Sequence, residues 1–176
     1  MTARDAFESI SGSGDDFQQV VAVCESLQAY CLIGGLAINC YVEPVYTMDA
    51  AFALAASHLR PVRERLEALG FTVEDHPHSL NALRAGSQLR IQFTKDARYA
   101  YFPSRAELRE TLGVRLRVAS LPDLVQAKTW AWNDPNRRLS KRKKDELDLI
   151  RIAETYPQLV AQLPEAIRSQ LEKTPP

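Results

Sequence analysis

An apolar segment that ends in two glycines, followed by an isolated aspartate, is the feature that most restricts the fold of this chain. Residues 30–35, Tyr-Cys-Leu-Ile-Gly-Gly, predict a short buried strand that stops at Gly34 and Gly35. Asp49 lies in the next predicted strand, over residues 47–53. Glycines between a strand and a helix let the backbone approach a phosphate closely. The two segments together predict a phosphate site near Asp49, although a tight turn and a solvated aspartate explain each segment taken singly.

Position 51 is where this strand would carry a second carboxylate. Side chains two residues apart on a strand project from one face, so carboxylates at positions 49 and 51 would hold Mg²⁺ against a triphosphate. The chain has Ala51 there, and a methyl group cannot bind a metal ion. Ala51 is either a natural loss or an introduced substitution, and the sequence leaves both open. In either case we expect weak metal-nucleotide binding or a slow reaction.

A later segment, residues 89–94, is predicted to form a further strand. Its apolar residues alternate with period two, which leaves its polar residues on the opposite face: Arg90, Gln92, Thr94 and Asp96. Gln92 stands in mid-strand, and Asp96 lies nearer the strand end.

Two more motifs follow in the chain. Gln126 and Lys128 lie on a predicted helix, with Ala131 one place short of a Gln-x-Lys-x-x-x-Ala spacing, and Lys144-Asp145 precedes an apolar stretch. With the earlier segments, these motifs make the chain resemble the nucleotidyltransferase superfamily, whose pattern is hydrophobic-Gly-Gly/Ser followed by Asp-hydrophobic-Asp/Glu. Within it, the chain resembles small bacterial proteins related to AbiEii-type abortive-infection toxins. The resemblance covers about residues 30 to 155.

The resemblance implies a metal-dependent enzyme that moves a nucleoside monophosphate from an NTP to a hydroxyl of RNA, a protein or a small molecule. It implies a third carboxylate from a neighbouring strand. Gln92 stands where that carboxylate is expected, and we choose Asp96, nearer the strand end, for this role. The resemblance thus implies Asp49, Asp96 and Lys128 as catalytic residues, with Mg²⁺ held by Asp49 and Asp96. The implied nucleotide site consists of Gly34, Gly35, Lys128, Lys144 and Asp145. A cognate antitoxin or other partner protein is implied as well. The alternative, which Ala51 favours, is a non-catalytic nucleotide- or nucleic-acid-binding module on the same fold, in a toxin-antitoxin or phage-defence system.

Strands and helices mix without strict βαβ alternation, which predicts an α+β fold. We expect a nucleotidyltransferase-like mixed β-sheet flanked by helices, with a C-terminal helical extension. The expected parts of this single structural domain are a flexible leader (1–14), a nucleotidyltransferase-like core (15–120) and a helical extension packed on the core (121–176). Helices are also predicted over residues 104–112 and 157–171.

Composition limits the partners. The formal net charge is zero, so any phosphate contact must come from a local patch. The basic run over residues 137–144 offers such a patch, although a solvated helix face is the favoured explanation of the run. No apolar run approaches the roughly 18 residues of a membrane span. Because no secretion signal is present either, we expect a cytoplasmic protein without membrane contact.

Several other residues have a structural interpretation as well as a functional one. His76 and His78 flank Pro77 and lack a third ligand, which favours a loop over a metal site. Trp130 and Trp132 are expected to pack in the core. The three cysteines have no metal-ligand spacing, so we expect buried free thiols.

Overall fold

The structure is a computed structural model that describes residues 15–173. Its centre is a sheet of seven strands. The strands are β1 (Tyr30–Ile33), β2 (Asp49–Leu54), β3 (Thr72–His76), β4 (Ser79–Leu83), β5 (Arg90–Thr94), β6 (Glu107–Thr111) and β7 (Val114–Val118). Their order across the sheet is β3-β4-β5-β2-β1-β7-β6. The predicted leader, residues 1–14, lies outside the described residues.

Helices flank this sheet. They are α1 (Asp15–Leu27), α2 (Gly34–Ile38), α3 (Leu59–Ala68), α4 (Leu121–Asn133), α5 (Leu139–Thr155) and α6 (Glu165–Glu172). Within the described part of the chain, no helix is both long enough and apolar enough to cross a membrane.

The sheet is mixed. β1 pairs antiparallel with β2 and parallel with β7, while β2 pairs parallel with β5. β1 is buried along its whole length because it lies near the middle of the sheet. The α+β fold with a mixed sheet, flanking helices and a C-terminal helical extension is therefore confirmed.

Aromatic packing fills one side of the sheet. The rings of Phe52 on β2 and Phe93 on β5 stack with centroids 5.6 Å apart. The ring centroid of Phe17 on α1 lies 6.4 Å from that of Phe52. α1 and α3 pack on each other and cover this side. Because side chains alternate along a strand, Asp49 and Ala51 project to the other side. That side is bordered by α2, which packs on β1 and β2, and by α4 and α5.

The start of α4 forms as its sequence predicts. The Ser120 hydroxyl accepts a hydrogen bond from the backbone N–H of Asp123 at 3.4 Å, and Pro122 occupies the first turn. A capping serine and a proline in the first turn are both typical of helix starts. α4 therefore begins directly after β7.

Two of the predicted helices are wrong. Residues 104–112 form the end of a 3₁₀ turn and then strand β6, which pairs with β7 through a turn where Leu112 and Gly113 have φ of 52° and 74°. Such paired left-handed residues are typical of two-residue hairpins. Residues 157–171 form a 3₁₀ helix and then α6, since Leu163 is extended with ψ of 153° before Pro164. A residue that precedes proline disfavours the helical conformation.

Strand β4 is absent from the sequence prediction. It forms a hairpin with β3, in which His76 ends β3 and His78 lies in the turn. The expected loop is thus limited to residues 77–78. The thiol prediction holds for Cys24 and Cys31, which are buried and free, while Cys40 is half-buried and free. Burial raises the pKa of the Cys31 thiol to about 12.

Candidate functional site

Asp49 is ion-paired with two cations. Asp49 and Arg90 are partners in the parallel register of β2 and β5, so their side chains lie side by side. The Arg90 Nε donates to Asp49 Oδ1 at 2.6 Å, and Lys141 Nζ of α5 lies 3.8 Å from Oδ2. All three side chains remain partly exposed. The Asp49 carboxylate therefore holds two cations at the surface of a cleft between the sheet and α5.

Ala51 and Gln92 form the next pair along the same two strands. They share the face of Asp49 and Arg90 because each lies two residues further on. Gly34, with a φ of 75°, comes so close to Ala51 that an added Cβ would lie 3.5 Å from the Ala51 methyl. The two-glycine turn and strands β2 and β5 thus meet at one point. At that point the protein presents a methyl group and a neutral amide.

Asp96 lies two residues beyond the end of β5. It caps a 3₁₀ turn, and its carboxylate accepts hydrogen bonds from the backbone and the side chain of Arg98, the shorter at 2.7 Å. The hydrogen bond from Arg98 lowers the pKa of Asp96. Gln92, and not Asp96, occupies the position paired with Ala51. The role of Asp96 as a metal ligand stays a prediction.

Lys128 and Asp145 belong to a buried ion network between α4 and α5. Lys128 Nζ lies 2.8 Å from Asp145 Oδ1 and 2.6 Å from Asp148 Oδ2. Arg137 binds Asp145 at 2.6 Å, and Arg151 binds Asp148 at 2.8 Å. The two aspartate side chains are only 2% and 8% exposed. The network therefore neutralises two buried carboxylates and joins α4 to α5.

Two adjoining cavities open over this face of the sheet, with volumes of about 510 and 970 Å³. Asp49 lines the smaller and Asp96 the larger. Six residues line both: Gly34, Ala51, Gln92, Lys128, Arg137 and Asp145. Gly35 and Lys144 also line the smaller cavity, so the structure brings Asp49 together with every residue of the predicted nucleotide site.

Arg90 and Lys141 are site residues that the sequence prediction did not single out. The alternation of β5 places Arg90 on the face of Gln92, so the sequence pattern could have identified Arg90 as a residue that faces the site. Lys141 lies within the basic run, and nothing in the run separates it from its neighbours. Lys144, from the same run, has no ion-pair partner among the described residues.

The side chains at this site do not fit a magnesium ion. Mg²⁺ prefers oxygen ligands, usually carboxylates, in octahedral geometry. Here Asp49 has Ala51 and Gln92 as its neighbours on β2 and β5, and it is already bound by Arg90. Asp145 and Asp148, which line the same cavity, are bound by the cations of the buried network. Among residues 15–173, no group of three or more His, Cys, Asp or Glu side chains is arranged to hold a metal ion.

The fold has clear relatives among solved structures, although no protein-family model and no curated protein matches the sequence. The antibiotic-resistance factor ANT(2'')-Ia, solved in complex with adenylyl-2''-tobramycin, superposes with a TM-score of 0.62 at 16% identity, over 90% of this chain and 98% of that one. The lincosamide antibiotic adenylyltransferase LnuA gives 0.54 at 12% identity, over 77% and 94%. A putative nucleotidyltransferase from H. pylori gives 0.55 at 16% identity, over 90% and 73%. This chain therefore has the nucleotidyltransferase fold.

Proposed function

We propose that this chain binds a nucleoside triphosphate in the cleft between its sheet and α5 and does not transfer the nucleotidyl group. The observation that carries the proposal is the pairing of Ala51 with Gln92. In nucleotidyl transfer by two metal ions, several carboxylates hold the ions, and the ions stabilise the attacking and the leaving oxygen. One carboxylate that is already paired with a guanidinium does not meet that need.

The ligand class follows from the lining of the smaller cavity. Arg90, Lys141 and Lys144 give it side-chain cations, which suit phosphate oxygens. The two glycines admit a ligand close to the backbone. The solved relatives include an adenylyltransferase and a complex with an adenylylated drug, so ATP is the first nucleotide to test.

A second candidate is the metal-dependent nucleotidyltransferase that the sequence resemblance implies. Retention of Asp49 favours it, with Asp96 and Lys128 as the further catalytic residues and Mg²⁺ as the cofactor. Its acceptor would be a hydroxyl of RNA, a protein or a small molecule. A relationship to abortive-infection toxins, a cognate antitoxin and a cytoplasmic location belong to this candidate as well.

Calorimetry and a transfer assay separate the two candidates. We expect ATP to bind to the purified protein, and no label to pass from ATP labelled in the α-phosphate to bulk RNA or protein with Mg²⁺ or Mn²⁺ present. Metal-dependent labelling of either acceptor would establish the transferase instead. If neither ATP nor any other NTP binds to folded protein, the nucleotide-binding proposal is wrong.

A further inference from the structure

We infer that Arg90 and Lys141 supply the positive charge for a polyphosphate in this site, so that the site binds the nucleotide free of metal. The inference rests on the proposed function and deepens it. It assigns Asp49 a different role, in which its carboxylate positions two side-chain cations and binds no metal ion. The ligand class is a nucleoside triphosphate without Mg²⁺.

The contact between Arg90 and Asp49 leaves one end of the guanidinium available. Asp49 accepts from Nε, and the two terminal nitrogens of Arg90 have no acceptor among the described residues. These nitrogens are the donors that bind phosphate oxygens in pairs. Because the register of β2 against β5 places Arg90 beside Asp49, the guanidinium is oriented before a ligand binds.

Lys141 is held more loosely. Its Nζ lies 3.8 Å from Asp49, an ion pair that is too long for a hydrogen bond. The ammonium group therefore keeps its donors for a ligand in the cleft. Lys144, three residues further along α5, lines the same cavity without an ion-pair partner among the described residues.

Charges around the smaller cavity leave a positive excess. The two carboxylates of Asp145 and Asp148 are shared by the three cations of the buried network. Asp49 is shared by Arg90 and Lys141. Glu74 also lines this cavity, whereas Arg151 does not. The lining therefore carries five cations (Arg90, Lys128, Arg137, Lys141 and Lys144) and four carboxylates (Asp49, Glu74, Asp145 and Asp148), which favours an anion over a divalent cation.

Binding of a metal ion at Asp49 would be electrostatically unfavourable. To reach Asp49 the ion would have to displace Arg90, and it would then lie near Lys141 and Lys144. Like charges at such short range repel. Asp145 and Asp148, which line the same cavity, are already bound by Lys128, Arg137 and Arg151. A metal-free triphosphate, in contrast, carries more negative charge than its magnesium complex and pairs with all three cations.

The test is ATP binding by calorimetry in EDTA and in excess Mg²⁺, at low and fixed ionic strength. We expect binding in EDTA that excess Mg²⁺ weakens, and competition by inorganic triphosphate in EDTA. Arg90→Gln should weaken binding in EDTA about tenfold or more, as expected for loss of a charged hydrogen bond. Arg60→Gln is the matched control, since Arg60 is 87% exposed on α3, outside the cavity lining, and should leave binding unchanged.

Asp49→Asn separates the two roles of this carboxylate. Asparagine keeps a side-chain oxygen that can accept from Arg90 Nε, so the positioning contact remains while the negative charge is removed. If Asp49 positions cations, ATP binding in EDTA is therefore intact or stronger in this variant. If Asp49 binds metal, ATP binding requires Mg²⁺ and is lost in this variant. Binding that occurs only with Mg²⁺ would overturn the inference while leaving the proposed function in place. No ATP binding under either condition, with a native circular dichroism spectrum, would overturn both.

Discussion

Gln92 lies opposite Ala51 in the parallel pairing of β2 with β5, and the two residues share the face that carries Asp49. Carboxylates at both positions would place three acidic groups on two adjacent strands. We therefore expect the double variant Ala51→Asp/Gln92→Asp to bind Mn²⁺, which the unchanged protein should not do at this site. Electron paramagnetic resonance of added Mn²⁺ measures the bound fraction. The neutral double variant Ala51→Asn/Gln92→Asn is the control for size, and equal Mn²⁺ binding by both variants would contradict the prediction.

Gly34 and Gly35 give a second prediction, because they differ in backbone conformation. Gly34 has a φ of 75°, which an L-residue adopts at a cost of roughly 1–2 kcal/mol. Gly34→Ala should therefore lower the free energy of unfolding by about that amount. The neighbouring Gly35 lacks a positive φ, and an added Cβ would meet no atom within 4 Å. Gly35→Ala should leave stability unchanged or slightly raised in urea denaturation, and an equal loss in both variants would refute this account.

The network around Lys128 gives a third prediction. Asp145→Ala should reduce the free energy of unfolding by about 3–5 kcal/mol, because it leaves Lys128 buried with one partner fewer and removes the partner of Arg137. Lys143→Ala is the control, since Lys143 is 64% exposed and its pair with Glu146 is a surface ion pair worth at most about 1 kcal/mol. Denaturant titration of both variants measures the difference. A loss below about 1 kcal/mol for Asp145→Ala would show that the network contributes little.

Local chemistry in the sequence was enough to predict several of the elements that surround the cleft. The buried run before Gly34, the alternation along β5 and the serine that caps α4 each have a short-range cause, and each appears in the structure. Strand β6 gave no such signal because it lies at the sheet edge with mostly exposed side chains. Its hairpin turn uses Leu112 at positive φ, which sequence rules assign to glycine or asparagine.

The composition of the site was predictable only in part. Gly34, Lys144 and Asp145 do line one cavity with Asp49, as their order along the chain suggested. The identity of the residue opposite Ala51 depends on the register of β2 against β5, which single-strand patterns do not contain. The same register decides that Asp49 faces Arg90. Long-range pairing therefore determined whether the aspartate meets a metal ion or a guanidinium.

The contact between Trp132 and Glu146 gives a pH prediction. The indole N–H of Trp132 donates to Glu146 Oε2 at 2.9 Å. This hydrogen bond, and a smaller contribution from Lys143, lower the pKa of Glu146 in the folded protein. A lowered pKa means that the stabilisation is present above the unfolded-state value, about 4.3 for glutamate, and is lost as the pH falls through the lowered folded-state pKa.

Two measurements check the predicted direction of the Glu146 pKa shift and of its effect on stability. In an NMR titration of the side-chain carboxyl carbon, Glu146 should have a midpoint below that of an ordinary glutamate, and Trp132→Phe should move the midpoint up. Trp130→Phe is the matched control, because Trp130 packs on Tyr99 and Phe102 and should leave the Glu146 midpoint where it is. The stability difference between the unchanged protein and Trp132→Phe should be larger at neutral pH than in acid, since protonation of Glu146 removes the charge that the indole stabilises. A difference that grows as the pH falls would show that the hydrogen bond favours the neutral carboxyl group.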